Sequence, residues 1–391
     1  MIHDRTILCF ASNWFYDPTS KHHIMKLLAE NNHVVWVNYH ASRRPTISAA
    51  DAGAVVGKLR QVIEGPRRVA ENITVLTPLV IPLPGSRAAT ALNRRLLVRQ
   101  IRNVLRTLPP RPVQLWSFAP DIDYLVGRFD EEAVVYYCVD AFSEFTGYNR
   151  AAIDSAEARL CKKADLVITT AQSLYDAKRP LNNNTSLITH GVDYDHFEKA
   201  ADADTNIPPD IADIPRPILG FWGLIQDWID TDLLASIARQ RPDWSIVLIG
   251  EEATDCSALR NLRNVHLLGR RPHESLPAYA KAMTVGLIPF RRNALTEAVN
   301  PIKLREYLSA GLHVVSTPLP EVRRYEQWVH PANSPAEWIT AIADALTNHS
   351  PEKAAARRQA MQCETWSAKL DEIQTRLTHA LAHRQPTESI R

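Results

Sequence analysis

At 391 residues, with 45 lysines and arginines against 43 aspartates and glutamates, the chain is long enough for two α/β domains and carries almost no net charge. Near-neutrality argues against a nucleic-acid binder, and with no run of eighteen apolar residues and no signal-peptide pattern after Met1 the expectation is a cytoplasmic protein. Cys9, Cys138, Cys161, Cys256 and Cys363 are scattered without CxxC or Cys/His ligand spacing, so neither a disulfide framework nor a zinc site is expected.

Residues 6–11 (TILCFA) read as a buried strand, residues 12–20 as a polar loop, Ile24, Leu27 and Leu28 as a helix face, and residues 34–37 (VVWV) as a second strand. Strand, helix and strand in this order make a βαβ unit and favour a parallel sheet with helices on both faces. Between Arg87 and Arg111 seven arginines occur with no acidic residue, while Leu97, Ile101, Val104, Leu105 and Leu108 recur at helical spacing. Two readings of this basic amphipathic helix stand: its apolar stripe packs on the domain's own sheet, or the helix rests on an anionic bilayer surface.

Residues 113–118, 133–139 and 166–170 continue the strand series. Turn-forming residues at 182–184 and 189–197, followed by an Asp-, Ala- and Pro-rich stretch at 200–217, mark a domain boundary. A second series of strands follows at residues 218–221, 245–249, 265–267, 285–289 and 313–316, with helices at 232–239 and 276–282, and residues 335–382 read as helical. The expected division is an N-terminal doubly wound domain at 1–195, a second at 196–365, and a C-terminal helix at 366–391 that returns toward the first domain and ends in a frayed tail.

The densest local signal is TEAVNPIKLREYLSAGLHVVSTP at 296–318. Asn300 suits an N-cap, Pro301 the first helical position, and Gly311 the left-handed residue after the last turn, framing a helix over 301–310. A helix N-terminus at the carboxyl edge of a sheet is a seat for a diphosphate, and Lys303 adds a charge in its first turn. Glu306, three residues on, shares a face with Lys303. It either holds vicinal hydroxyls, as acidic residues hold ribose in dinucleotide sites, or pairs with Lys303 or Arg305 on a solvated surface.

NPIKLREYLSAG followed by VVSTP resembles the donor-binding segment of GT-B glycosyltransferases of glycosyltransferase family 4 (glycosyl transferases group 1), in a divergent bacterial branch. GFWGLIQDWIDTDLL from Gly220, SIVLIGE from Ser245, NVHLLGRRPHESLPAYAKAM from Asn264 and VGLIPF from Val285 resemble that family's successive strand-loop elements, and ADLVITTAQSLYDAK and HGVDYDHF its inter-domain crossover. The resemblance implies a GT-B fold, two Rossmann-like domains facing across a cleft. It also implies transfer of a sugar from a nucleotide-sugar donor to an acceptor hydroxyl, with retention and without cofactor or essential metal. On that pattern Glu306 holds the ribose, Asn300, Pro301, Ile302 and Lys303 face the diphosphate and sugar, and Gly223 lets the backbone approach the phosphates. Arg270, after Gly269, is either near the base or an exposed loop charge.

The family's N-domain takes the acceptor. There Trp14, Phe15 and Tyr16 either stack on a sugar ring or pack, and His22 either faces the cleft or is structural. Three departures redistribute roles. Ala298 stands where the family has its first glutamate, with Glu297 one residue earlier; Gln226, Asp227 and Trp228 stand where an Arg and a Lys clamp the diphosphate; and Val139 precedes Asp140 where a histidine is usual. Lys303 and Asp140 are left as the catalytic candidates. A lipid-linked sugar acceptor in envelope polysaccharide or glycolipid assembly fits, with peripheral contact on the inner membrane face through the arginine-rich helix. The alternatives are a sugar-nucleotide epimerase and a degenerate nucleotide-binding or interaction subunit.

Overall fold

Eight short strands, most of them rich in β-branched and aromatic residues, line up in the first unit of the computed structural model, which describes residues 2–39, 61–62, 64–81 and 86–383. They are β1 (Thr6–Ala11), β2 (His33–Asn38), β3 (Arg67–Ala70), β4 (Ile73–Leu76), β5 (Val113–Ser117), β6 (Ala133–Cys138), β7 (Leu166–Thr169) and β8 (Thr185–Leu187). Their order is β3-β4-β2-β1-β5-β6-β7-β8, parallel throughout except that β3 runs antiparallel to β4. Helices α1 (Ser20–Ala29), α2 (Arg87–Leu105), α3 (Arg150–Lys163) and α4 (Gln172–Lys178) connect them. Every residue of β1 and β6 is buried, as expected of parallel strands covered on both faces. The edge strand β3, RRVA, is largely exposed, so it lacks the apolar run by which a strand is recognised.

The second unit, residues 190–369, holds β9 (Ile218–Trp222), β10 (Ser245–Ile249), β11 (Val265–Gly269), β12 (Val285–Ile288), β13 (His313–Ser316) and β14 (Val329–Pro331) in the order β11-β10-β9-β12-β13-β14, all parallel. Its helices include α5 (Thr231–Gln240), α6 (Leu276–Ala282), α7 (Ile302–Ser309), α8 (Pro335–Thr347) and α9 (Pro351–Met361). The region read as one helical stretch to residue 382 is thus three helices, the last being α10 (Trp366–Ala382). The first unit comprises residues 1–189 and takes up the chain again from Leu370, where the N–H of Ile2 donates to Gln374 Oε1 at 2.8 Å. The expected frayed tail, 384–391, lies outside the described residues, as does the Arg87 side chain.

In each sheet the strand order reverses once, at β1/β5 in the first unit and β9/β12 in the second, and the carboxyl ends of strands at such a switch point are where open α/β sheets bind ligands. The arginine-rich segment forms α2, whose Leu97, Ile101 and Val104 are at most 3% exposed within the first unit. The apolar stripe therefore belongs to the core, and Arg95, Arg99, Arg102 and Arg106 are the exposed face.

Candidate functional site

At the carboxyl end of β9 the chain turns through Gly223, whose φ of +128° is left-handed. A Cβ here would stand 2.3 Å from Lys303 Cε and 2.6 Å from its Nζ, so the lysine side chain lies directly over the glycine backbone. Gly250, just past β10, abuts the Gly223 carbonyl just as closely, and Gly223 N–H donates to the Ile249 carbonyl at 2.8 Å. Only bare backbone fits where these two strand ends and the lysine meet. The Lys303 ammonium also sits 5.6 Å from the centre of the Phe221 ring.

Lys303 lies in the first turn of α7. The helix ends as its sequence demands: Gly311 adopts φ +83°, its N–H donates to Leu308 O, and Leu312 N–H donates to Tyr307 O, a Schellman pair. Its start differs from the expectation. The cap position is Pro301, in extended conformation and without a side-chain capping bond, and the first helical residue is Ile302, so Asn300 is not the N-cap and Pro301 is not inside the helix. The reason is Arg305, which is fully buried rather than a surface charge. Its Nη1 donates to Asn300 Oδ1 at 2.7 Å, while Asn300 Nδ2 donates to Glu321 at 3.3 Å. With its amide drawn into the interior, Asn300 does not face a ligand as expected; it anchors the loop that delivers the helix. The N-terminus of α7 is left without a side-chain cap, a favourable place for an anion beside Lys303.

Glu306 is half-buried one turn further on. Arg305 points elsewhere, so the Glu306–Arg305 surface pair is excluded. Glu306 Oε2 instead accepts from Trp222 Nε1 at 2.7 Å, leaving Oε1 without a hydrogen bond among the described residues. Trp222 ends β9 and was not singled out from sequence, because its partner lies 84 residues away. Glu297, next to Ala298 where the family glutamate was missing, is held by Arg292 at 2.7 Å. Arg270 is exposed, one residue past β11 and two strands from β9, whereas its neighbour Arg271 is committed to Asp210 at 2.6 Å.

The first unit places a different group at its strand ends. Asp140, two residues past β6, is half-buried, and burial pushes its carboxyl up to about 7 against the opposing pull of Lys21. Lys21, in the first turn of α1 after β1, is in turn held below the usual lysine range by burial, with Asp140 and Cys9 pulling it back up. Neither side chain makes a hydrogen bond with the described residues. Sequence reading missed Lys21; the only signal was a lysine in a first turn, the same position as Lys303.

His22, expected on the acceptor side, is framework instead. Its Nδ1 accepts from Thr19 N–H at 3.2 Å, its Nε2 donates to the Trp14 carbonyl at 3.1 Å, and burial pushes it down to about 3, so it is neutral. The Trp14 ring stands edge-on to Trp36 at 4.9 Å and lies 5.2 Å from His22, packed rather than presented. Tyr16, 60% exposed, and Phe15, 39% exposed, are the accessible aromatics of that loop. Among the described residues no group of three or more His, Cys, Asp or Glu is placed to hold a metal ion, and no helix is long and apolar enough to cross a membrane.

Residues 216–348 match the family model described as glycosyl transferases group 1, a segment that contains the whole Gly223, Lys303 and Glu306 constellation. Among curated proteins, the chain is 26% identical over 281 residues to a Bacillus subtilis (strain 168) protein named as a teichuronic acid biosynthesis glycosyltransferase, TuaH, covering 66% of this chain and 70% of that one. Among solved structures it is similar to sucrose-phosphate synthase from Thermosynechococcus elongatus (TM-score 0.69, 15% identity, 97% of this chain and 100% of that one). It is also similar to Anabaena HepE in complex with UDP and glucose (TM-score 0.63, 14% identity, 95% and 99% coverage). Residues 216–348 are thus similar to group 1 glycosyltransferases, in a chain with the GT-B fold, and the protein is a glycosyltransferase.

Proposed function

We propose that the protein transfers a sugar from a nucleoside-diphosphate donor, held by the second unit, to an acceptor hydroxyl taken up by the first, with retention at the anomeric carbon. The observation that carries this reading is the meeting of Gly223, the Lys303 ammonium, the uncapped start of α7 and the Glu306 carboxylate at the sheet's switch point. Backbone and lysine suit a diphosphate, and Glu306 Oε1 suits a ribose hydroxyl. In the reaction the bond from the anomeric carbon to the diphosphate oxygen breaks, its electron pair passing to that oxygen. The acceptor oxygen bonds to the same face of the carbon, and its proton passes to the departing phosphate. Lys303 and the α7 N-terminus stabilise the negative charge that develops on the leaving group. Asp140, with Lys21 beside it, receives the acceptor hydroxyl, and no resident metal takes part.

Calorimetric titration of UDP, GDP, dTDP and their sugar conjugates, with EDTA present, tests the donor half. Selective binding of one nucleotide, weakened about tenfold or more (about 1.4 kcal/mol) by Glu306→Ala, is expected. A folded protein that binds none of them is an interaction subunit, and one that converts the donor sugar with no acceptor present is an epimerase.

On the acceptor side the reading is envelope polysaccharide or glycolipid assembly at the inner face of the cytoplasmic membrane. It is supported by the exposed Arg95 and Arg99 of α2 and by the exposed Leu92 on the same helix. Arg102 is less suited, since its guanidinium donates to the Arg128 carbonyl at 2.9 Å. Co-sedimentation with vesicles should rise with anionic lipid and fall after Arg95→Glu and Arg99→Glu; indifference to both changes removes the membrane from the proposal.

A further inference from the structure

The Glu306 carboxylate has a partner whose orientation the fold over-determines. Trp222 is the last residue of β9, and its backbone N–H donates to the Tyr307 hydroxyl at 3.4 Å. Its ring is 3% exposed, parallel to Phe197 at 5.8 Å and 3°, and meets the Tyr307 ring edge-on at 4.4 Å and 75°. Tyr307 is itself fixed, its hydroxyl donating to the Leu287 carbonyl at 3.3 Å and its ring filling the space beside Gly286 where a Cβ would clash. Strand, crossover segment and helix therefore clamp the indole from three directions, and its single donor aims at one atom, Glu306 Oε2.

A glutamate on a helix surface loses considerable rotamer freedom when a ligand fixes it. A charge-assisted bond from an immobile indole removes that freedom before any ligand arrives. Oε1 is then the atom left to accept from a ligand.

We propose that Trp222 is a positioning residue for the donor site: its indole N–H holds Glu306 so that Oε1 meets a ribose hydroxyl of the nucleotide, and the two side chains recognise the ribose as one unit. This rests on the donor reading above, and adds to it a residue that touches no ligand yet sets the affinity for the ribose. Phe is the informative substitution, because Trp222→Phe keeps an aromatic ring between Phe197 and Tyr307 and deletes only the donor and part of the ring.

The test is calorimetric titration of UDP and GDP, and of the 2′,3′-dideoxy form of whichever binds, against wild type, Trp222→Phe, Glu306→Ala and the double variant. Trp222→Phe should weaken the ribonucleotide about tenfold, leave the dideoxy nucleotide unchanged, and add nothing to Glu306→Ala. Equal weakening of both nucleotides, or effects of the two substitutions that multiply, would falsify the inference while leaving the donor site intact. Failure of wild type to bind any of UDP, GDP and dTDP removes the donor reading and this inference together. Should Trp222→Phe not fold, the indole 15N–1H resonance of Trp222 in the wild type, identified as the one moved by Glu306→Ala, decides instead. It should respond to the ribonucleotide and not to the dideoxy form, and an identical response to both overturns the proposal.

Discussion

The two units share a plan and differ in how their charges are held. Each has a parallel sheet with one reversal of strand order, a lysine in the first turn of a helix, and a carboxylate beyond a strand end. In the second unit these groups are tied down: Lys303 lies along Gly223, and Glu306 is gripped by Trp222. In the first, Lys21 and Asp140 feel each other's charge but have no hydrogen bonds with the described residues, and the neighbouring His22, Trp14 and Trp36 pack on one another. A rigid constellation suits a chemically constant ligand part such as a nucleoside diphosphate. A charge pair set in a firm aromatic frame tunes one proton instead. The difference teaches that shared architecture does not imply shared chemistry.

The comparison breaks first at Lys303. Replacing it with Ala should lower kcat by about 10²- to 10³-fold, since it removes the charge facing the leaving phosphate, and an effect confined to KM would reduce Lys303 to a binding residue. Asp140→Asn should cost less, about 10- to 100-fold in kcat/KM for the acceptor. On the proposed reading the ionised Asp140 carboxylate accepts a hydrogen bond from the acceptor hydroxyl, and with that carboxyl raised to about 7 the wild-type rate should fall as pH drops through that value. Lys21→Met removes a cation that lowers it, so the acidic limb should move to higher pH. A limb that stays in place in the Lys21→Met pH profile separates the two residues.

The smallest effect sharpens the comparison through stability, because each unit buries one histidine that is pushed down to about 3: His22 in the first, next to Lys21, and His313 in the second, beside Arg357, His330 and His349. In the unfolded chain a histidine titrates near 6.5, so between the two values the unfolded state takes up a proton that the folded state refuses. Stability is full above about 6.5 and is lost as pH falls from there toward 3, about 2 kcal/mol per histidine by pH 5. Thermal unfolding at pH 7 and pH 5 should show a smaller drop for His313→Gln than for wild type. An unchanged drop would assign the acid sensitivity to other groups.

How much of this was legible depends on the range of the cause. The buried strands β1, β6, β9, β10 and β13 stood out because parallel strands covered on both faces read as near-continuous apolar runs. Strands β3 (RRVA), β8 (TSL) and β14 (VHP) did not, because edge or very short strands need no such run. Gly311 was read correctly, since its left-handed φ follows from the helix end itself.

Asn300 was misread because the same local logic cannot see that Arg305, an ordinary helix charge by composition, is buried and claims the asparagine's amide. His22 carried the same ambiguity until both ring nitrogens had partners. By itself the sequence determined the two parallel sheets, the helix carrying Lys303 and Glu306, and the glycine turn after β9, all of which arise from patterns within a few residues. Tertiary structure alone decided that Trp222 holds Glu306, that Lys303 lies over Gly223 and that Lys21 stands in the field of Asp140. Such pairings join residues some 80 to 120 positions apart, and only the stacking of strand ends at a sheet's edge, not any local preference, brings them together.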